Sequence, residues 1–162
     1  MISVELKFTV TRTGNITAED KARSIWALLG SEGEVYGNTV KAGRITVQVD
    51  EDVNNRDRFI ITVKAGDHTV SDVMNMLNIA KSLYVREGVM TVRYDDGIGK
   101  VNGLGFIAGL IKMSVFDFLD SYKIEGTFKD WKLVYDSVTK TATITGKIDG
   151  MIYMYGVALM FA

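Results

Sequence analysis

The only histidine, His68, lies next to Asp67 and Thr69 in the stretch Thr62-Val63-Lys64-Ala65-Gly66-Asp67-His68-Thr69-Val70-Ser71-Asp72. An imidazole beside a carboxylate has part of a proton relay, but a general base also needs a nucleophile and an orienting partner. With no cysteine and no second histidine, neither a thiolate nor a multi-histidine metal site can be assembled. The neighbours favour a structural reading: a strand stops, Gly66 turns the chain, and Thr69 caps a helix.

Three other stretches could do chemistry. Asp50-Glu51-Asp52-Val53-Asn54 begins like a calcium loop, but the sixth position is Asn55 rather than glycine and the twelfth is Ile61 rather than glutamate. A solvated acidic loop is expected. Asp95-Asp96 could hold magnesium, yet a turn-forming pair before Gly97 accounts for both carboxylates. Gly97-Ile98-Gly99-Lys100 suggests phosphate binding, but Val101 stands where a P-loop needs a hydroxyl, and the glycine spacing is wrong. Gly97, Gly99, Gly103 and Gly105 are therefore read as a flexible or tightly turned junction. No cofactor and no metal are expected.

The elements that would position these residues follow from periodicity. Residues 2–11 alternate, with Ile2, Val4, Leu6, Phe8 and Val10 facing one way, the mark of a half-buried strand. Thr17 is a good N-cap, with Glu19 and Asp20 in the first turn where the helix dipole favours anions. Ala22, Ile25, Trp26 and Leu29 then form one helical face, closed by Gly30 and Gly33. Glu34–Thr39 is a candidate short strand before a turn near Ala42-Gly43. Ile45, Val47 and Val49, and then Phe59, Ile61 and Val63, mark further strands. Val70, Val73, Leu77, Ala80 and Tyr84 share a second helical face ended by Gly88. Met90, Val92 and Tyr94 mark a fourth strand.

The order β-α-β-β-α-β predicts an α+β fold. It is a ferredoxin-like body over 1–97, with two helices on one face of a one-faced antiparallel sheet. Residues 98–162 are expected to supply the Gly-rich junction, a helix or strand within 104–119, a strand over 122–128, and a C-terminal antiparallel β hairpin or meander. The hairpin is clearest at Trp131–Tyr135 and Thr141–Thr145, and both parts are expected to pack as one domain. Gly14-Asn15-Ile16-Thr17 and Gly66-Asp67-His68-Thr69 share an offset, which leaves two readings open: an internal duplication, or the recurrence of a common turn and cap. The strand–turn–helix of Thr62–Asp72 resembles the corresponding stretch of ubiquitin-like β-grasp proteins and carries no activity over.

Composition excludes several classes. Apolar content of 47% provides for a core, and a net charge of −1 creates no global field toward nucleic acid or anionic membrane. The outward sheet residues Glu5, Lys7, Thr9, Thr46, Gln48, Ile60, Thr62, Thr91 and Arg93 include no aromatic, so no nucleic-acid stacking face is expected. The longest apolar stretch, Leu104 to Leu119, contains Lys112 and Asp117 and falls short of the roughly 20 residues that span a bilayer. No signal peptide is apparent, and a cytoplasmic or virion-associated location is expected.

The segment Met151–Ala162 carries no charge. Read as a final strand, it is apolar on both faces and needs cover on both. That cover is either the chain's own core or a neighbouring subunit. Met151, Ile152, Tyr153, Met154, Tyr155, Val157, Leu159 and Phe161 are the candidate interface. The expected function is accordingly a non-enzymatic, self-associating structural or assembly protein, a virus or phage component, with other copies or other protein subunits as partners. The alternative is a monomeric ligand- or protein-binding module, such as an inhibitor of a host factor.

Overall fold

Alternating apolar residues build most of the structure. The computed structural model describes residues 2–66, 69–94, 131–136 and 138–158. Its strands are β1 (Ile2–Thr11), β2 (Glu34–Tyr36), β3 (Thr39–Ala42), β4 (Ile45–Glu51), β5 (Arg58–Ala65), β6 (Glu87–Tyr94), β7 (Trp131–Asp136) and β8 (Thr141–Lys147). Its helices are α1 (Ala18–Leu28), α2 (Val70–Ser82) and α3 (Met151–Ala158), the last entered through a 3-10 turn at Ile148–Gly150.

The strands form one antiparallel sheet of eight, in the order β2-β3-β4-β5-β1-β6-β8-β7. The sheet is larger than the four-stranded ferredoxin-like one expected, and its strand order as a whole differs from that arrangement. A hairpin, β2–β3, extends the sheet beyond β4, and β8–β7 extends it beyond β6. The second extension follows from matched alternation. Met90 lies opposite Ile144 and Val92 opposite Ala142, all four buried, while Thr91 faces Thr143 and Arg93 faces Thr141 on the other side.

The stretch read as a single short strand at Glu34–Thr39 is two strands around Gly37-Asn38. Gly37 has φ +56° and turns the chain. Asn38 ties this hairpin to β4: its Nδ2 donates to the Val49 carbonyl at 2.8 Å, and its own carbonyl accepts from Val49 N at 2.9 Å.

One sheet face carries the core: Val4, Leu6, Phe8, Val47, Val49, Phe59, Ile61, Val63, Met90, Val92 and Ile144 are buried, with α1, α2 and α3 packed over them. Both long helices begin with a capping box. Thr17 Oγ1 accepts from Asp20 N at 3.1 Å while Asp20 Oδ2 accepts from Thr17 N at 3.0 Å, and Thr69 and Asp72 repeat the exchange at 3.2 and 2.8 Å. On α2, Val73, Leu77 and Ala80 are buried as expected, but Tyr84 is 92% exposed. The helix stops at Ser82, and Tyr84 takes φ +59° while donating its N–H to the Lys81 carbonyl. Gly88 does not end this helix. It lies inside β6 opposite Gly146, where an added Cβ would sit 3.1 Å from both Ile148 Cδ1 and the Lys7 carbonyl.

The final strand expected over Met151–Ala162 is, over 151–158, the helix α3. Continuous apolar sequence does not distinguish a buried strand from a buried helix, and a helix apolar all round is one that is covered all round. Trp131 fixes its entry by donating from Nε1 to the Lys147 carbonyl at 3.0 Å, with its ring lying on Gly150.

Candidate functional site

The capping boxes start α1 and α2 at defined points, but the two helices settle on different strands. α1 packs on β2, β3 and β4; α2 packs on β1, β5 and the 3-10 turn. A cleft of about 590 Å³ is left between them. Helical spacing decides what lines it. From α1 and its C-cap come Ile25, Leu28 and Leu29, at i, i+3 and i+4; from α2 come Asn75, Asn78, Ile79 and Ser82, at i, i+3, i+4 and i+7. Ile45 of β4 closes the floor.

The rim is polar. Arg44 stands at the tip of the two-residue β3–β4 turn, where Gly43 has φ +59°, and its Nη1 lies 3.9 Å from Asp72 Oδ2. That same oxygen accepts from Thr69 N, so the cap of α2 and the ion pair share one carboxylate. Glu32 adds a second acid at the α1 end. There the chain passes tightly against β3: a Cβ on Gly33 would meet the Lys41 carbonyl oxygen at 2.0 Å, and Gly33 has φ +81°. Leu28 is 57% exposed on the cleft wall, an apolar side chain left in solvent beside an apolar floor.

Sequence reasoning singles out none of the cleft residues as a site. The available signal is Leu28, an extra leucine outside the stripe Ala22, Ile25, Trp26 and Leu29. The rest come from separate elements, and only the fold brings them together.

The candidate interface residues lie elsewhere. Met151, Ile152, Met154, Tyr155 and Val157 are buried within this chain, and Tyr153 is partly buried against the core. Their surroundings are β6, β7, β8 and α2, so over 151–158 it is the chain's own core, one of the two covers expected, that lies against them. Burial also pushes the Tyr155 phenol well above its ordinary pKa. Leu159 and Phe161 lie outside the described residues. So do Gly97, Gly99, Gly103 and Gly105, the segments 104–119 and 122–128, His68, and the Asp95-Asp96 pair.

The acidic loop has a structural occupation for its carboxylates. Asp52, buried, accepts from Arg58 Nε at 2.6 Å and from Asn54 N at 3.0 Å. These bonds, the Arg58 bond foremost, hold its pKa below the usual carboxylate value. Asp50 accepts from Gln48 Nε2 at 3.1 Å. Among the described residues, no group of three or more histidines or carboxylates is arranged to hold a metal ion.

The open sheet face bears a smaller depression of about 330 Å³ beside Glu5, Lys64, Thr91 and Arg93. Glu5 lies 3.8 Å from Lys64 and 4.0 Å from Lys7, exposed pairs that contribute little. Among the described residues, no helix is long and apolar enough to cross a membrane.

The arrangement defines a mixed α/β protein built on a single antiparallel sheet, with a half-open cleft between two helices on its covered face. Compared with protein-family models and with curated proteins, the sequence matches none.

Proposed function

We propose that the chain is a binding module whose ligand seat is the cleft between α1 and α2. The observation that carries this reading is the exposed Leu28 above a floor of Ile25, Leu29, Ile45 and Ile79 in a cleft of about 590 Å³. Small-molecule sites typically occupy roughly 300–1,000 Å³, with apolar walls and a few orienting polar groups. Fold alone does not assign a function, so the reading rests on the site. The inner strands β4-β5-β1-β6, joined through α1 and α2, support a ferredoxin-like unit as the scaffold that spaces the two helices.

The rim chooses the ligand class. Glu32 and Asp72 are acidic, and the cation Arg44 is turned toward Asp72, so the rim opposes an anion. Asn75 and Asn78 each offer a donor and an acceptor. The fitting occupant is a small amphipathic molecule with an apolar body and a neutral, hydrogen-bonding head.

Three probes of equal chain length test this: octanamide, octylammonium and octanoate, each titrated while the methyl signals of Ile25, Ile45 and Ile79 are followed by NMR. Octanamide should shift these signals saturably, and octanoate should bind least well. Leu28→Lys, at an exposed position, should weaken the response without lowering thermal stability. Unmoved cleft methyls with octanamide, or octanoate binding as well as octanamide, would defeat the reading.

A further inference from the structure

The two edges of the sheet are unlike. β2, at one edge, is three residues long, and its Glu34 is engaged by the Tyr36 hydroxyl at 2.9 Å. β7, at the other, is six residues long and pairs with β8 on one side only among the described residues. A short edge strand is a common protection against pairing with another chain; a longer one offers a row of main-chain donors and acceptors.

Cross-strand register fixes which side chains β7 presents. Leu133 lies opposite buried Ile144 and so belongs to the covered face. Lys132, Val134 and Asp136 lie opposite Thr145, Thr143 and Thr141 on the open face. Val134 is 50% exposed, and Lys132 and Asp136 are exposed as well. Asp136 is held as a carboxylate: its Oδ1 accepts from Thr139 N at 3.2 Å and Val138 N at 2.9 Å, which keeps its pKa below the ordinary value.

The pattern Lys132-x-Val134-x-Asp136 is complementary to itself when read backwards. We propose that β7 is the contact through which a second copy of this chain docks, antiparallel and edge to edge, with Val134 at the two-fold axis. In that register Val134 meets its own copy, and Lys132 of each chain lies opposite Asp136 of the other, twice over. A slip of two residues sets Lys132 against an aliphatic residue and loses both ion pairs, so charge selects the register. The two sheets then run on as one, and the contact is isologous, as a two-fold dimer requires. A six-residue edge is small beside a standard interface of about 1,600 Å², so the dimer is weak and concentration-dependent. The cleft lies on the helical side of the sheet, and this contact does not depend on it.

Sedimentation velocity over a concentration series tests the proposal, with circular dichroism confirming that each variant is folded. The wild-type chain should approach twice its 17.9 kDa mass as concentration rises. Val134→Lys puts like charges at the axis, and Lys132→Asp turns two attractions into two repulsions; each should weaken the dimer by roughly tenfold or more. Asp136→Lys should do the same. An equimolar mixture of the Lys132→Asp and Asp136→Lys chains should associate again, since every pair across the axis is then of opposite sign. A wild-type chain that stays monomeric overturns the proposal, as does a dimer that Val134→Lys and Lys132→Asp leave intact. If Asp136→Lys unfolds through loss of its turn bonds, those two variants still decide. Folded single variants that dissociate but do not associate on mixing overturn the register.

Discussion

Replacing Gly150 by alanine sets two effects of opposite sign against each other. Taken alone, Gly→Ala restricts the unfolded chain and favours the native state by about 0.4–1 kcal/mol. At Gly150, however, the new Cβ would lie 1.7 Å from Cζ2 and 2.4 Å from Cε2 of Trp131. Ordinary contact begins near 3.4 Å, so the indole must withdraw by close to 2 Å. Overpacking of this kind costs about 1–3 kcal/mol. The withdrawal also breaks the bond from Trp131 Nε1 to the Lys147 carbonyl, whose net worth is about 0.5–1.5 kcal/mol. The clash therefore wins, and Gly150→Ala should destabilise by about 0.5–4 kcal/mol. At this chain length each kcal/mol lowers the melting temperature by about 2–4 °C.

The assay is urea unfolding of a double-mutant cycle with Trp131→Leu, whose smaller side chain leaves room for the new methyl. In that background Gly150→Ala should be neutral or stabilising, giving a coupling well above the roughly 0.5 kcal/mol scatter of independent sites. A destabilisation by Gly150→Ala that persists unchanged in the Trp131→Leu background would refute the reasoning, because its origin would then be backbone rather than indole.

Four further outcomes follow from the structure. Met154→Ala should destabilise by about 2–5 kcal/mol, because the side chain is fully buried; an effect below about 1 kcal/mol in denaturant unfolding would show that α3 is not core. Thr17→Ala and Thr69→Ala should each lose about 1 kcal/mol by removing an N-cap, and serine at either position should restore most of it. The Asp52 pKa is depressed in the native state, so its contribution is fully present above the ordinary value of 3.8 and lost as pH falls through the lower native value; Asp52→Asn should flatten the acid limb of a stability–pH profile. Tyr155 has the opposite linkage: its native pKa is raised, so stability should fall as pH rises above 10, and ultraviolet titration should find this phenol protonated until the chain unfolds.

Much of the sheet is legible from local pattern because each strand has one wet face. Ile2–Thr11 alternates without a break, and β4 and β5 bury the residues that alternation selects. The helix starts are legible for a different reason. Thr17 and Asp20, like Thr69 and Asp72, complete their capping boxes within four residues, and no distant contact is needed. What the sequence hides is set at a distance. The pairing of β6 with β8 joins residues far apart in sequence, from Glu87 with Lys147 to Arg93 with Thr141, and depends on matched alternation in two strands rather than on either one. Residues 151–158 lack a period because they lack a wet side, so the usual discriminator between helix and strand is silent there. Tyr84 continues the spacing of α2, but Leu83 already caps the helix and the backbone at Tyr84 has turned left-handed.

The cleft follows from the same division of labour. The covered face of an eight-stranded sheet is wide, and among the described residues two helices of 11 and 13 residues do not tile it. α3 closes the side over β8, where its uncharged residues become core rather than surface. The space between α1 and α2 stays open because each helix is anchored by its own cap and its own strands, and because Arg44 and Asp72 meet across the rim without filling the floor. Leu28 follows from that geometry: it lies on the flank of α1 that a closer α2 would have covered. A ligand that fills the gap would therefore bury apolar surface which the fold itself leaves wet, and that unmet burial is the physical source of affinity in the proposed site.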